Sequence, residues 1–183
     1  MALLFLAMLL ALPAFRVVGH AAEPNGPSEY QLKAAFVYNF IKFVDWPSGE
    51  WRAGETFRVC LLGEGPATAL FEDLNGQEAL GRRLTVTALQ SPQEARSCQV
   101  LFVAASQTAR LTEVIDALAG APVLTIGDTD GYARRGVMIN MFLENKRIRF
   151  DINAEAARTA GLRISAKLLK LASRVYNAAP RGE

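Results

Sequence analysis

Short apolar runs, each stopped by glycine, proline or a polar residue, recur through the middle of the chain and restrict its fold more than any other feature. Phe57–Leu62 reads FRVCLL and ends at Gly63, Gln99–Ala104 reads QVLFVA, and Val123–Ile126 forms a third run. Continuous apolar runs this short suit strands buried on both faces, as in parallel sheets. Leu84–Leu89 alternates well enough for another strand. Helix signals fall between the runs. Gly65-Pro66 starts a helix through Leu74 that stops at Asn75-Gly76, and Ser91-Pro92 opens a short one. Ser106 caps a helix whose Leu111, Val114, Ile115 and Leu118 share an apolar face closed by Gly120.

The rhythm then changes. Val137–Leu143 and Arg147–Ile152 are strand-like and are separated by Glu144-Asn145-Lys146, which predicts an antiparallel hairpin. Asn153 caps a short helix ending at Gly161, and Ser165 caps a last helix with Leu168, Leu171 and Val175 on one face. Strand–helix alternation followed by a hairpin predicts a three-layer α/β/α sandwich, with a mostly parallel central sheet and a C-terminal antiparallel hairpin. In a 2-1-3-4 strand order the first and third strands are neighbours.

Ahead of the strands, Glu29–Pro47 reads EYQLKAAFVYNFIKFVDWP. Leu32, Phe36, Phe40 and Phe43 recur at helical spacing, which predicts a helix with that stripe in the core. Lys33 and Lys42 are expected to reach water. Tyr38 and Asn39 place polar tips on a mostly apolar helix. Ser28 is the expected N-cap, and Asp45-Trp46-Pro47 the stop.

Ala2–Leu12 is almost wholly apolar, Pro13 breaks it, and Gly19, Ala21 and Ala22 are small. This reads as a cleaved secretory signal over residues 1–22, with an uncleaved anchor or a misplaced start codon as lesser alternatives. The apolar run falls short of the ~20 residues that span a bilayer, so no membrane insertion is expected after cleavage. Residues 23–28 read as a linker, 29–176 as one α/β domain and 177–183 as a tail. Cleavage removes Arg16 and His20, leaving 19 of the 20 basic residues against 18 acidic ones and no histidine. That balance argues against a nucleic-acid binder, and the missing histidine weakens metal ligation and His-based acid–base chemistry. Cys60 and Cys98 are the only cysteines. In an exported chain such a pair most simply forms a disulfide, and two buried thiols are the alternative.

No active site is legible. Gly63-Glu64-Gly65 stands where a phosphate-binding turn would, but Thr68 replaces the third glycine of that fingerprint, so a plain tight turn is the better reading. Asp128-Thr129-Asp130-Gly131 begins like a calcium loop, yet Ile139 holds the position that needs glutamate. No G-x-S-x-G elbow is present, and no serine has a histidine to activate it. The expectation is therefore no catalytic residue, no metal and no cofactor. What remains is surface. Arg147, Arg149 and Asp151 alternate onto one face of their strand, opposite Ile148, Phe150 and Ile152. With Arg134 and Arg135 nearby, that face is expected to meet an acidic partner or simply to be solvated. A small-ligand cleft is the second candidate, where Gly63, Glu64 and Gly65 meet Ser106 outside the carboxyl ends of two adjacent strands.

Several blocks resemble one family. KAAFVYNFIKFVDWP, Lys33–Pro47, is similar to the signature K-A-x-F-x-Y-x-F-x-K-F-V-x-W-P of the YfiR family, also called DUF4154. Gly127-Asp128, Gly131-Tyr132, GVMINMFLENKRIRFDIN (Gly136–Asn153) and AGLRISAKLLKLA (Ala160–Ala172) continue the likeness, which spans Glu29 to Val175. The resemblance implies a periplasmic α/β domain that regulates rather than catalyses. Its best-understood members bind the periplasmic sensor domain of an inner-membrane diguanylate cyclase, hold its cyclic-di-GMP output low, and tend to dimerise. Cys60 and Cys98 match a cysteine pair of the family. A second pair found in some members is absent, so no redox switch built on it carries over. The alternative implied function is an extracytoplasmic sensor domain that binds a small ligand.

Overall fold

The computed structural model of the chain describes residues 28–47, 55–66 and 73–177. The expected signal, the linker apart from Ser28, and the tail apart from Asn177 lie outside these residues. Helix α1 (Glu29–Lys42) opens with a capping box: the Ser28 hydroxyl accepts from the Gln31 N–H, and the Gln31 side chain accepts from the Ser28 N–H. Glu29 lies in its first turn and Lys42 in its last, complementing the helix dipole.

The buried face of α1 differs from the predicted stripe. It carries Lys33, Ala34, Val37, Phe40 and Ile41, whereas Leu32 is exposed and Phe36 and Phe43 are half-buried. Phe36 and Phe40 instead set their rings edge-on against Phe150, at centroid separations of 6.2 and 5.0 Å. Lys33 was expected in water and is 4% exposed. It tolerates burial because its ammonium meets Asp128 and Glu29, each at 2.7 Å.

The remaining strands are β1 (Val44–Asp45), β2 (Phe57–Leu62), β3 (Glu78–Ala79), β4 (Arg82–Leu89), β5 (Val100–Val103), β6 (Leu124–Gly127), β7 (Ile139–Glu144), β8 (Arg147–Asn153), β9 (Arg163–Ile164) and β10 (Arg174–Tyr176). The main sheet runs β10-β8-β7-β6-β5-β2-β4-β3. Strands β4, β2, β5, β6 and β7 are mutually parallel, so the four predicted parallel strands take the 2-1-3-4 order. Strand β8 turns back antiparallel to β7 through Asn145 and Lys146, whose φ values of 49° and 60° suit a two-residue hairpin turn. A separate pair, β1 with β9, ties the end of α1 to the C-terminal segment.

Two cores lie on opposite faces of the sheet. One joins α1 to Phe57, Val59, Phe102, Ile126, Ile139, Phe150 and Ile152, with Leu168 of α4 (Ala166–Leu171). The other joins α2 (Leu111–Ala117) to Leu62, Leu101, Val103, Tyr132 and Val137. The result is the α/β architecture read from the sequence, with the antiparallel hairpin at its C-terminal end. Cys60 and Cys98 are joined as a disulfide with Cα atoms 6.1 Å apart, as neighbouring strands allow.

Some local assignments differ or lie outside the described residues. The helix expected after Gly65-Pro66 falls largely on residues outside the description, and residues 73–76 are turn. Ser106 caps nothing: a 3-10 segment, Ala105–Arg110, precedes α2. Val175 belongs to β10 rather than the last helix, because Ala172 leaves the helix at ψ 144° and Ser173 donates to the Phe150 carbonyl. Helix α3 (Ala154–Thr159) starts where predicted, with the Asn153 side chain accepting from Ala156 N–H at 2.8 Å.

Candidate interaction face

The period of two along β8 places Arg147, Arg149, Asp151 and Asn153 on the sheet face opposite α1. Across the hairpin, Glu144 registers with Arg147, Phe142 with Arg149 and Asn140 with Asp151; on the other side Arg174 of β10 registers with Asp151. Arg147 and Arg149 are exposed, and Arg149 approaches Glu144 at 3.6 Å. An exposed pair of this kind is worth little to stability, so these guanidiniums are free to exchange partners at small cost.

Asp151 departs from the expected exposed face. It is only 7% exposed, because β10 and the turn carrying Asp130–Arg135 cover the end of the strand that the sequence reading left open. Burial pushes its carboxyl up from the ordinary aspartate value, against the pull of Arg174 and Arg134. The structure thus brings Arg134 and Asp151 together around a small polar cavity, with Asp130, Asn140, Arg174 and Tyr176. Arg135 turns away to donate to the Thr108 carbonyl at 3.1 Å. Asn140 and Arg174 were missed by the sequence reading. Asn140 had a visible signal, as the one strongly polar residue inside the apolar run Val137–Leu143.

In the second candidate, at the carboxyl ends of β2 and β5, Glu64 and Ser106 meet directly. Ser106 Oγ accepts from Glu64 N–H at 2.9 Å and donates to Glu64 O at 3.1 Å. A Cβ on Gly63 would stand 2.5 Å from that hydroxyl and 3.0 Å from Gln107. Ser106 therefore bridges the two loops and occupies the space beside Gly63. An apolar groove of about 270 Å3 lies elsewhere, between Ile115 and Leu118 of the α2 region and Ala156 and Ala160 of the α3 region. Among the described residues, no group of three or more His, Cys, Asp or Glu side chains could hold a metal ion. No helix among them is long and apolar enough to cross a membrane.

Comparison with known proteins adds to this geometry. A family model described as DUF4154, YfiR/HmsC-like, matches residues 30–173. Among solved structures, a conserved domain protein from Vibrio cholerae O1 biovar El Tor is similar at a TM-score of 0.57 and 15% identity, over 80% of this chain and 60% of its own. The ABC domain of Streptococcus pneumoniae in complex with L-tryptophan is similar at 0.55 and 12% identity, over 75% of this chain and 58% of its own. At such identities these likenesses show the fold alone, and this chain spans about 60% of their length.

Proposed function

Because the chain belongs to the DUF4154, YfiR/HmsC-like family, whose members act as periplasmic regulators, we propose that it binds the periplasmic domain of an inner-membrane diguanylate cyclase and restrains its cyclic-di-GMP output. The observation that carries this reading is the exposed arginine face of the hairpin. Arg147 and Arg149 stand on β8, Lys146 is exposed in the turn, and Arg134 and Arg174 are exposed beside the same face. Glu144 approaches Arg149 at 3.6 Å. Such a face favours a partner surface rich in aspartate and glutamate. Regulation requires unequal affinity for the active and inactive cyclase, since a ligand that binds both equally shifts nothing. A homodimer and export through a cleaved signal belong to the same reading.

The test is capture from solubilised membranes with the purified chain as bait. Enrichment of a cyclase with a periplasmic domain, weakened by salt, supports the proposal. Recovery no better than with an unrelated periplasmic protein sinks it.

A further inference from the structure

Asn140 Oδ1 and Asp151 Oδ1 are both buried without a hydrogen-bond partner. Their residues are 3% and 7% exposed and stand directly opposite each other in the β7–β8 register. Both line a polar cavity of about 10 Å3, room for about one water molecule. The Asp151 carboxyl takes one hydrogen bond, from the Arg174 backbone N–H, but these two oxygens take none, and a buried acceptor that has lost water without gaining a donor is costly. A single proton resolves this: a protonated carboxyl is a donor, and the amide oxygen opposite it is an acceptor.

We propose that Asn140 and Asp151 form a proton-binding pair that latches the edge strand β10, closed more tightly when Asp151 is protonated than when it is ionised. Facing the carboxyl are Arg174 and Tyr176 from β10, Arg134 and Asp130 from the preceding turn, and Asn140 from β7. Arg149, two residues back on the same strand, is occupied by Glu144. Burial, helped by Asp130, disfavours the ionised form more than the guanidiniums of Arg174 and Arg134 and the Arg174 backbone N–H favour it, and lifts the carboxyl above its ordinary value.

The sign of the coupling follows from where the burial comes from. Arg174 and Tyr176 form one wall of the cavity, so lifting β10 removes the burial together with the weaker, opposing pull of the Arg174 charge and backbone N–H, and returns Asp151 to an ordinary titration. The closed state then binds the proton more tightly than the open state. Acidification favours closing, and ionisation at neutral pH favours opening. Each unit of difference between the two midpoints changes the closing equilibrium tenfold. The strand that moves lies beside the hairpin's arginine face, so the proton adjusts the edge of that surface without touching Arg147 or Arg149.

The experiment is a carboxyl-carbon NMR titration of the full chain, together with amide exchange at Arg174–Tyr176 corrected for the intrinsic rate. The expected result is an Asp151 midpoint above about 3.9, the ordinary aspartate value. Protection of the β10 amides should rise several-fold as pH falls through that midpoint. Asp151→Asn should hold the high protection at every pH, and Asn140→Ala should lower the midpoint by removing the proton's acceptor. A midpoint at or below the ordinary value overturns the proposal, as does protection that is constant or falls on acidification. The titration uses the unsubstituted chain, so the proposal stays testable if a variant does not fold.

Discussion

Lys33 Nζ lies 2.7 Å from Asp128 Oδ2 and fastens the first helix to the residue that follows β6. The lysine side chain is 5% exposed and the aspartate 12%, so this contact is screened far less than the surface pairs. Glu29 supplies a second oxygen at 2.7 Å, and the Tyr30 ring centroid lies 4.7 Å from the ammonium. Removing one member leaves the other charge buried, which typically costs more than the pair contributes. Lys33→Met should therefore destabilise the chain by about 3 kcal/mol. Urea unfolding would register this as a lower midpoint at unchanged slope, and Asp128→Asn should act in the same direction.

The same contact predicts a pH effect at the alkaline end. Burial alone would lower the Lys33 ammonium, but the hydrogen bonds and charges of Asp128 and Glu29 outweigh it and hold the group above 10.5. A raised folded value means that the stabilisation is complete below the unfolded value and is lost as pH rises through the folded one. Melting temperature should fall on passing above about pH 10.5, and the fall should be shallower in Lys33→Met. An identical alkaline slope in both proteins would remove Lys33 from the account.

The Cys60–Cys98 bridge closes a loop with a sequence separation of 38 and joins the β2 end of the core to the approach to β5. Cross-links of that span typically add about 2–4 kcal/mol, largely by restricting the unfolded chain. Reduction, or Cys60→Ala with Cys98→Ala, should lower the unfolding midpoint by a corresponding amount and leave the far-ultraviolet circular dichroism of the folded state unchanged. Equal stability of the reduced and oxidised chains would contradict this.

On the hairpin, Arg147 and Arg149 make no contact that the fold requires beyond the exposed approach to Glu144. Arg147→Glu with Arg149→Glu should change stability by no more than about 0.5 kcal/mol. The same pair should weaken cyclase capture strongly, because reversing two charges turns attraction into repulsion. Unaltered capture at low salt would move the interaction surface elsewhere, even if the family reading stands.

How far the sequence showed these features depends on whether an element is defined by its own residues or by a distant partner. Phe57–Leu62 and Gln99–Ala104 were legible because fully buried strands need continuous apolar runs. The hairpin was legible because Asn145 and Lys146 separate two strand-like runs. Lys33 was not legible, since periodicity assigns lysine to solvent and nothing local announces Asp128, 95 residues later. Strands β1, β9 and β10 are two or three residues long and exist only through pairing. Asp151 was assigned to the correct face by alternation but not to the correct environment, because its cover comes from β10 and the Asp130–Arg135 turn. Ser106 has the identity of a cap, yet its hydroxyl bonds the Glu64 backbone in the loop after the neighbouring strand β2.

Gly127 and Tyr132 provide the sharpest test of packing near the candidate face. Tyr132 is fully buried, and its hydroxyl donates to the Ala104 carbonyl at 3.1 Å and lies 2.9 Å from the Thr108 hydroxyl. Its ring crosses β6 so closely that a Cβ on Gly127 would stand 2.5 Å from Cδ2. A ring anchored at its far end cannot retreat without losing those contacts, so Gly127→Ala should cost about 1–3 kcal/mol through overpacking. Tyr132→Leu removes the obstructing ring and carries its own cavity penalty. The double variant should then be less destabilised than the sum of the two single ones, with a coupling of about 1 kcal/mol or more. Strict additivity in chemical denaturation would show that the ring accommodates a methyl group, and that the close approach at Gly127 is not what sets the residue there.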